Sequence, residues 1–121
     1  MSNKIQNPNI KKFDLIERTA TLGKNTILFV MKLPKHTINN TLISQVVRSA
    51  TSIGANYMEA DGAESKKDFQ HKLSTCKKEA KETMHWFHML SVANPERKNE
   101  CRMLWKEAHE LALIFSTILK K

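Results

Sequence analysis

The side chains of this chain that can do chemistry are gathered in its second half. His85 and His88 lie three residues apart, a spacing that puts two imidazoles on one helix face, and Glu79 and Glu82 precede them with Trp86 close by. Two imidazoles can fill two positions of a metal site, but a structural zinc wants four ligands, so His71 or His109 would have to be recruited by folding or assembly. A paired carboxylate near a histidine suits acid–base chemistry. No second segment, however, offers a nucleophile, an oxyanion donor set or a phosphate loop. Walker, dinucleotide-binding and zinc-finger spacings are missing as well. The expectation is a non-enzymatic protein without cofactor or metal, in which these carboxylates are ion-paired to Lys78, Lys81 or Arg48.

Cys76 and Cys101 are the only thiols. If the last two helices form a hairpin turning near Ala93, the two cysteines are offset by about 13 Å along the axis, too far for a bridge. Two buried thiols in a reducing compartment are expected.

Charge is the stronger signal. Twenty Lys and Arg against twelve Asp and Glu give a formal net charge of +8, which favours an acidic partner, nucleic acid being the commonest. Its distribution is uneven: residues 1–34 carry six positive and two negative side chains, residues 35–62 two and two, and residues 63–94 and 95–121 six and four each. The candidate nucleic-acid contacts are Lys11, Lys12, Arg18 and Lys24 in the first segment, with Lys66, Lys67, Lys77, Lys78 and Lys81 in the third. No helix-turn-helix or RNA-recognition motif is present, and the spacing places Trp86, Phe87 and Trp105 at core or near-core positions. Binding through these lysines would be led by phosphate and steeply salt-dependent.

The elements that must position these groups follow from periodicity. A chain of 121 residues with three Gly, three Pro and 40% apolar residues fits one domain of a few long helices. Residues 1–10 read as a polar lead-in and 11–121 as the domain. Helix one is expected over about 12–33, with apolar positions Phe13, Ile16, Ala20, Ile27, Val30 and Met31 and a stop at Pro34. Gly23 within it leaves room for a close packing contact. Helix two is expected over about 41–61, capped by Asn39 or Asn40 and ended at Gly62. Its core arc holds Ile43, Val46, Val47, Ala50, Ile53, Gly54 and Tyr57.

The opposite arc of helix two carries Gln45, Arg48, Ser52, Asn56 and Glu59, a stripe without lysine in a basic chain. Small residues around it, from Ser49 to Ala60, would let another backbone come close, so helix two is expected to be covered on both sides. The stripe is the candidate subunit interface. Ser65 with Asp68 resembles a capping box for helix three, in which Phe69, Leu73, Cys76, Ala80, Thr83, Phe87 and Leu90 form a heptad seam. Asn94 with Pro95 is expected to cap helix four, whose seam is Cys101, Leu104, Ala108, Leu111, Phe115 and Ile118. Four helices with short links predict an all-α, antiparallel up-down-up-down four-helix bundle. No run of about 18 apolar residues crosses a membrane, and the polar start lacks the apolar core of a signal peptide, so a cytoplasmic location is expected.

The central stretch also resembles a known family, the four-helix bundle proteins encoded in intervening sequences of bacterial 23S ribosomal RNA genes. The resemblance is carried by Arg48 and Ser49, the run from Ser52 to Asn56, Glu59 and Ala60, Ser65, Asp68 and Phe69, Lys72 and Leu73, Lys78 to Ala80, Glu82 and Trp86. Phe13 to Leu15, Lys32 to Pro34 and Glu107 to Leu119 extend it over nearly the whole chain. Met58 and the polar Asn94 to Glu100 connection depart from the family pattern. The resemblance implies a homopentamer with no assigned enzymatic activity. It also implies kinship with the accessory variability protein of diversity-generating retroelements, whose basic pentamer engages a reverse transcriptase and nucleic acid. Together these readings predict an oligomeric bundle that binds RNA, DNA or a nucleic-acid-processing protein through basic faces. The alternative is a protein–protein scaffold without direct nucleic-acid binding.

Overall fold

The computed structural model describes residues 10–121, with side chains from Leu15 onward. The lead-in expected before residue 10 lies outside the described residues. Four helices follow in order: α1 (Ile10–Val30), α2 (Thr37–Asp61), α3 (Lys66–Ala93) and α4 (Lys98–Leu119), with one 3-10 turn, Pro95–Arg97, ahead of α4. Each helix packs on its sequence neighbour, and α1 also packs on α4, which closes the ring of a four-helix bundle. Neighbours run antiparallel. Gly23 and Gly54 of α1 and α2 face Thr51 and Thr19 across their interface, Arg48 of α2 meets Glu79 and Glu82 of α3 while Glu59 meets Lys72, and Arg18 of α1 meets Glu107 and Glu110 of α4 while Lys32 meets Glu100.

The predicted seams of α3 and α4 are the core. Leu73, Cys76, Ala80, Phe87, Leu90, Cys101, Ala108, Leu111 and Phe115 are all buried. Two apolar clusters share this interior, one around Ile53, Leu73, Leu111 and Phe115, the other around Phe29, Val46, Phe87 and Leu90, with Leu104 packing against both. Each fully buried Leu or Phe contributes about 1.5–3 kcal/mol relative to an exposed one. Between the clusters lie buried hydroxyls. Thr26 donates to the Leu22 carbonyl at 2.8 Å, and Ser49 and Thr83 stand 2.8 Å apart across the α2–α3 interface. Cys76 and Cys101 are free thiols in different clusters, and burial pushes them up to about 12 and about 11 respectively.

Helix one corrects the sequence reading. Its inward line is Leu15, Thr19, Leu22, Thr26 and Phe29, continuing to Leu33, whereas Ala20, Ile27 and Met31 are exposed. The two threonines fill core positions because each hydroxyl donates to the carbonyl four residues earlier, so the polar group is satisfied inside the helix. A pattern read from apolar residues alone skips them and rotates the face.

The ends of α2 and α3 correct two caps. His36 is the N-cap of α2, its Nδ1 accepting from the Asn39 backbone N–H at 3.2 Å, and the helix starts at Thr37 rather than Thr41. Asn39 is instead fully buried and exchanges two 2.9 Å hydrogen bonds with the Asn94 side chain. Each amide spends its second N–H on a carbonyl, Asn39 on Pro34 and Asn94 on Leu90, so this buried pair is saturated with donors. Asn94 therefore gives no side-chain cap to the turn that follows. Ser65 caps α3 as expected, accepting from Asp68 N–H at 3.0 Å. Gly62 closes α2 at φ −96°, an ordinary value open to other residues.

Candidate functional site

The lysine-free stripe of α2 is tied to its own chain. Arg48 lies between Gln45 of its own helix and Glu79 and Glu82 of α3, while Glu59 takes the Lys72 ammonium at 2.6 Å. Asn56 donates to the Ser52 carbonyl and hydroxyl at 2.9 and 3.0 Å. α2 packs on α1 at Gly54 and Thr51 and on α3 at Ser49 and Arg48, while Arg48 and Glu59 of the stripe remain exposed. These intrachain partners account for the choice of Arg48 and Glu59. Outward of them, Ser44, Thr51 and Ala55 present a small, uncharged exposed surface bordered by Met58, which is 56% exposed.

The basic candidates separate into engaged and free groups. Arg18 forms a fork on Glu107, at 2.8 and 3.1 Å, and reaches Glu110 at 2.8 Å, leaving its side chain 24% exposed. These carboxylates raise its pKa, so it is a structural cross-brace from α1 to α4. Lys24, Lys66, Lys67, Lys78 and Lys81 are exposed and Lys77 half-buried, and none makes an ion pair among the described residues. The side chains of Lys11 and Lys12 lie outside the described residues.

The histidine and carboxylate line of α3 resolves into packing. Glu82 accepts the Trp86 indole N–H at 3.0 Å as well as Arg48, and His85 meets the Trp86 ring edge-on at 4.8 Å between centroids. Among the described residues no three His, Cys, Asp or Glu side chains come together in a way that could hold a metal ion.

A feature the sequence reading passed over lies along α4. Its flank toward α1 is acidic and ion-paired, Glu100 with Lys32 and Arg97, Glu107 and Glu110 with Arg18; the two cations hold the Glu100 carboxyl below the usual carboxylate range. Its flank toward α3 carries Lys98, Arg102 and Lys106, four residues apart on one face and without an ion-pair partner among the described residues. These three rim an open groove of about 490 Å³, with Phe87 and Cys101 in its floor and Trp105 and His88 in its walls. Trp105 is half-buried, not sealed in the core, and its ring lies on His109 at 5.0 Å and 31°. The available signal was the four-residue spacing of the three cations with an aromatic between the last two.

No helix among the described residues is long and apolar enough to cross a membrane. Among solved structures the chain is similar to the crystal structure of a protein with unknown function from the S23 ribosomal protein family of Bacteroides thetaiotaomicron. Identity is 26%, the match covers 92% of this chain and 99% of that one, and the TM-score is 0.80. Comparison with curated proteins gives no match. Residues 11–117 match the family model described as 23S rRNA-intervening sequence protein. That span takes in all but the outermost turns of the bundle, so the expected fold and the resemblance meet in one conclusion: the chain belongs to the 23S rRNA-intervening sequence protein family.

Proposed function

We propose that this chain is a non-enzymatic, cytoplasmic, homo-oligomeric bundle that binds nucleic acid, free or within a nucleoprotein, through its basic outer faces. One observation carries the reading: the ion pairs between helices engage Glu59, Glu79, Glu82, Glu100, Glu107 and Glu110, while the lysines of outer α3 and the Lys98–Lys106 flank of α4 stay unneutralised at the surface. A phosphate polymer neutralises such a face and releases its own counterions in doing so. Repetition of the face around an oligomer, five subunits by the family resemblance, multiplies weak contacts by avidity.

A mobility-shift titration of structured and single-stranded RNA and DNA tests this. Affinity is expected to fall at least about a hundredfold between about 50 and 200 mM salt. A salt-independent affinity, or no shift with any nucleic acid, sinks the proposal. The second reading, a scaffold for another protein, is favoured by Leu28, Met31, Met58 and Met103, large apolar side chains 56–71% exposed. It predicts a protein partner whose binding is indifferent to salt.

A further inference from the structure

We propose that the α3–α4 groove is a binding site for single-stranded nucleic acid, one base lying against Trp105 while successive phosphates follow Lys98, Arg102 and Lys106. This deepens the function proposed above and rests on it.

The groove joins two features that phosphate binding alone does not need. The first is a cationic rail. Lys98, Arg102 and Lys106 stand about 6 Å apart along α4, at four residues per step, and no Asp or Glu lines the groove to compete with phosphate. The opposite flank of the same helix is the internal control, since there each carboxylate holds a cation from α1 or from the turn that precedes α4. The second is an aromatic wall. Trp86 has its indole N–H occupied by Glu82, whereas that of Trp105 has no hydrogen-bond acceptor among the described residues and the ring borders open space. The Trp105 ring also lies against His109, which does not itself line the groove. A buried floor of Phe87 and Cys101 is apolar enough for the face or edge of a base and offers nothing to a hydrated ion.

These features favour a single strand over a duplex. Bases of a duplex are stacked and paired, so none can enter a groove lined by one indole, while an unpaired strand can turn a base out and draw its backbone along the rail. The groove contributes no base-edge code of several donors and acceptors. Recognition is thereby tolerant of sequence and sensitive to strandedness.

The test uses the full chain, an unstructured uridine or thymidine oligomer of about 12 nucleotides, and a hairpin duplex of equal charge, read by fluorescence anisotropy over a series of salt concentrations from about 50 to about 200 mM. Arg102→Gln with Lys106→Gln is expected to weaken single-strand binding about tenfold or more and to lower the salt slope by about 1.4. Trp105→Leu is expected to weaken it about tenfold while leaving the duplex within about twofold. In a Trp86→Phe background, where Trp105 is the only indole, adding the single strand should quench the fluorescence. Lys120→Gln with Lys121→Gln, charge-matched to the first pair but at the far end of α4 from the groove, should change single-strand affinity by less than about twofold. If wild type binds single strands and the groove variants bind as well, the groove assignment is wrong and the general function stands. If wild type binds no nucleic acid, both fall. Binding of the single strand with no fluorescence change removes Trp105 from the site and overturns the stacking part of the proposal.

Discussion

Asn39 and Asn94 show how one residue type takes different roles at positions that look alike in sequence. Both stand close to the start of a helix, where Asn is a common cap, yet both are buried and bonded to each other at 2.9 Å. The pair is stable because every amide N–H is matched, and it becomes a liability when half of it is removed. Asn39→Ala is expected to lower unfolding free energy by about 2–4 kcal/mol, since it opens a small cavity and leaves the Asn94 amide unsatisfied in the interior. Replacing both with Leu should recover part of that loss, a coupling measurable as a double-mutant cycle in urea. At the same scale, Cys76 and Cys101 are inert because they are buried: a thiol reagent at neutral pH should label neither until the protein unfolds.

Helices respond to smaller perturbations. Gly23 sits inside α1, and a methyl group there would meet the Thr51 backbone and side chain at 3.6 Å, ordinary contact without clash. Gly23→Ala is therefore expected to stabilise the protein by about 0.5–1 kcal/mol, through helix propensity alone. Loss of a close contact that requires glycine would instead appear as a lower Tm. Ser65→Ala removes the α3 cap and should cost about 1 kcal/mol. The periodicity of α2, α3 and α4 was legible because Leu, Val, Phe and Cys mark their seams. That of α1 was not, because Thr19 and Thr26 are core residues whose polarity is hidden by bonds to their own helix. The lysine-free stripe of α2 was legible as unusual, but the identity of what covers it is a tertiary fact, since Glu79, Glu82 and Lys72 are separated from it by 13 to 34 residues.

For the molecule as a whole, alkaline stability follows from the buried thiols. Their ordinary pKa is 9.0 and the folded values are about 12 and about 11, so above pH 9 the unfolded chain loses protons that the folded chain keeps. Stability is full below about pH 9 and falls above it, by about 1.4 kcal/mol per pH unit for each thiol while the folded thiols stay protonated. Urea unfolding from about pH 8 to about pH 10.5 measures this, and the decline should be smaller in Cys76→Ser with Cys101→Ser. Assembly is the second whole-molecule question. If subunits pack across the α2 stripe, Arg48→Ala should shift the mass in light scattering toward smaller species; an unchanged mass there with a shift for Met58→Lys would move the contact to the apolar edge between α1 and α2.

The sequence by itself determined four amphipathic helices, most of the core list, the family and the excess of positive charge, because these depend on residue order within a helix and on simple counting. Only the tertiary structure decided which charges remain available. Arg18 and Lys98 are alike in sequence terms, yet one is clamped by two carboxylates from another helix and the other lines an open groove. Coulomb interactions fall off within about 8 Å at physiological salt, so a cation's freedom is set by neighbours that the fold supplies, and α4 divides into a neutralised flank and a cationic one for that reason.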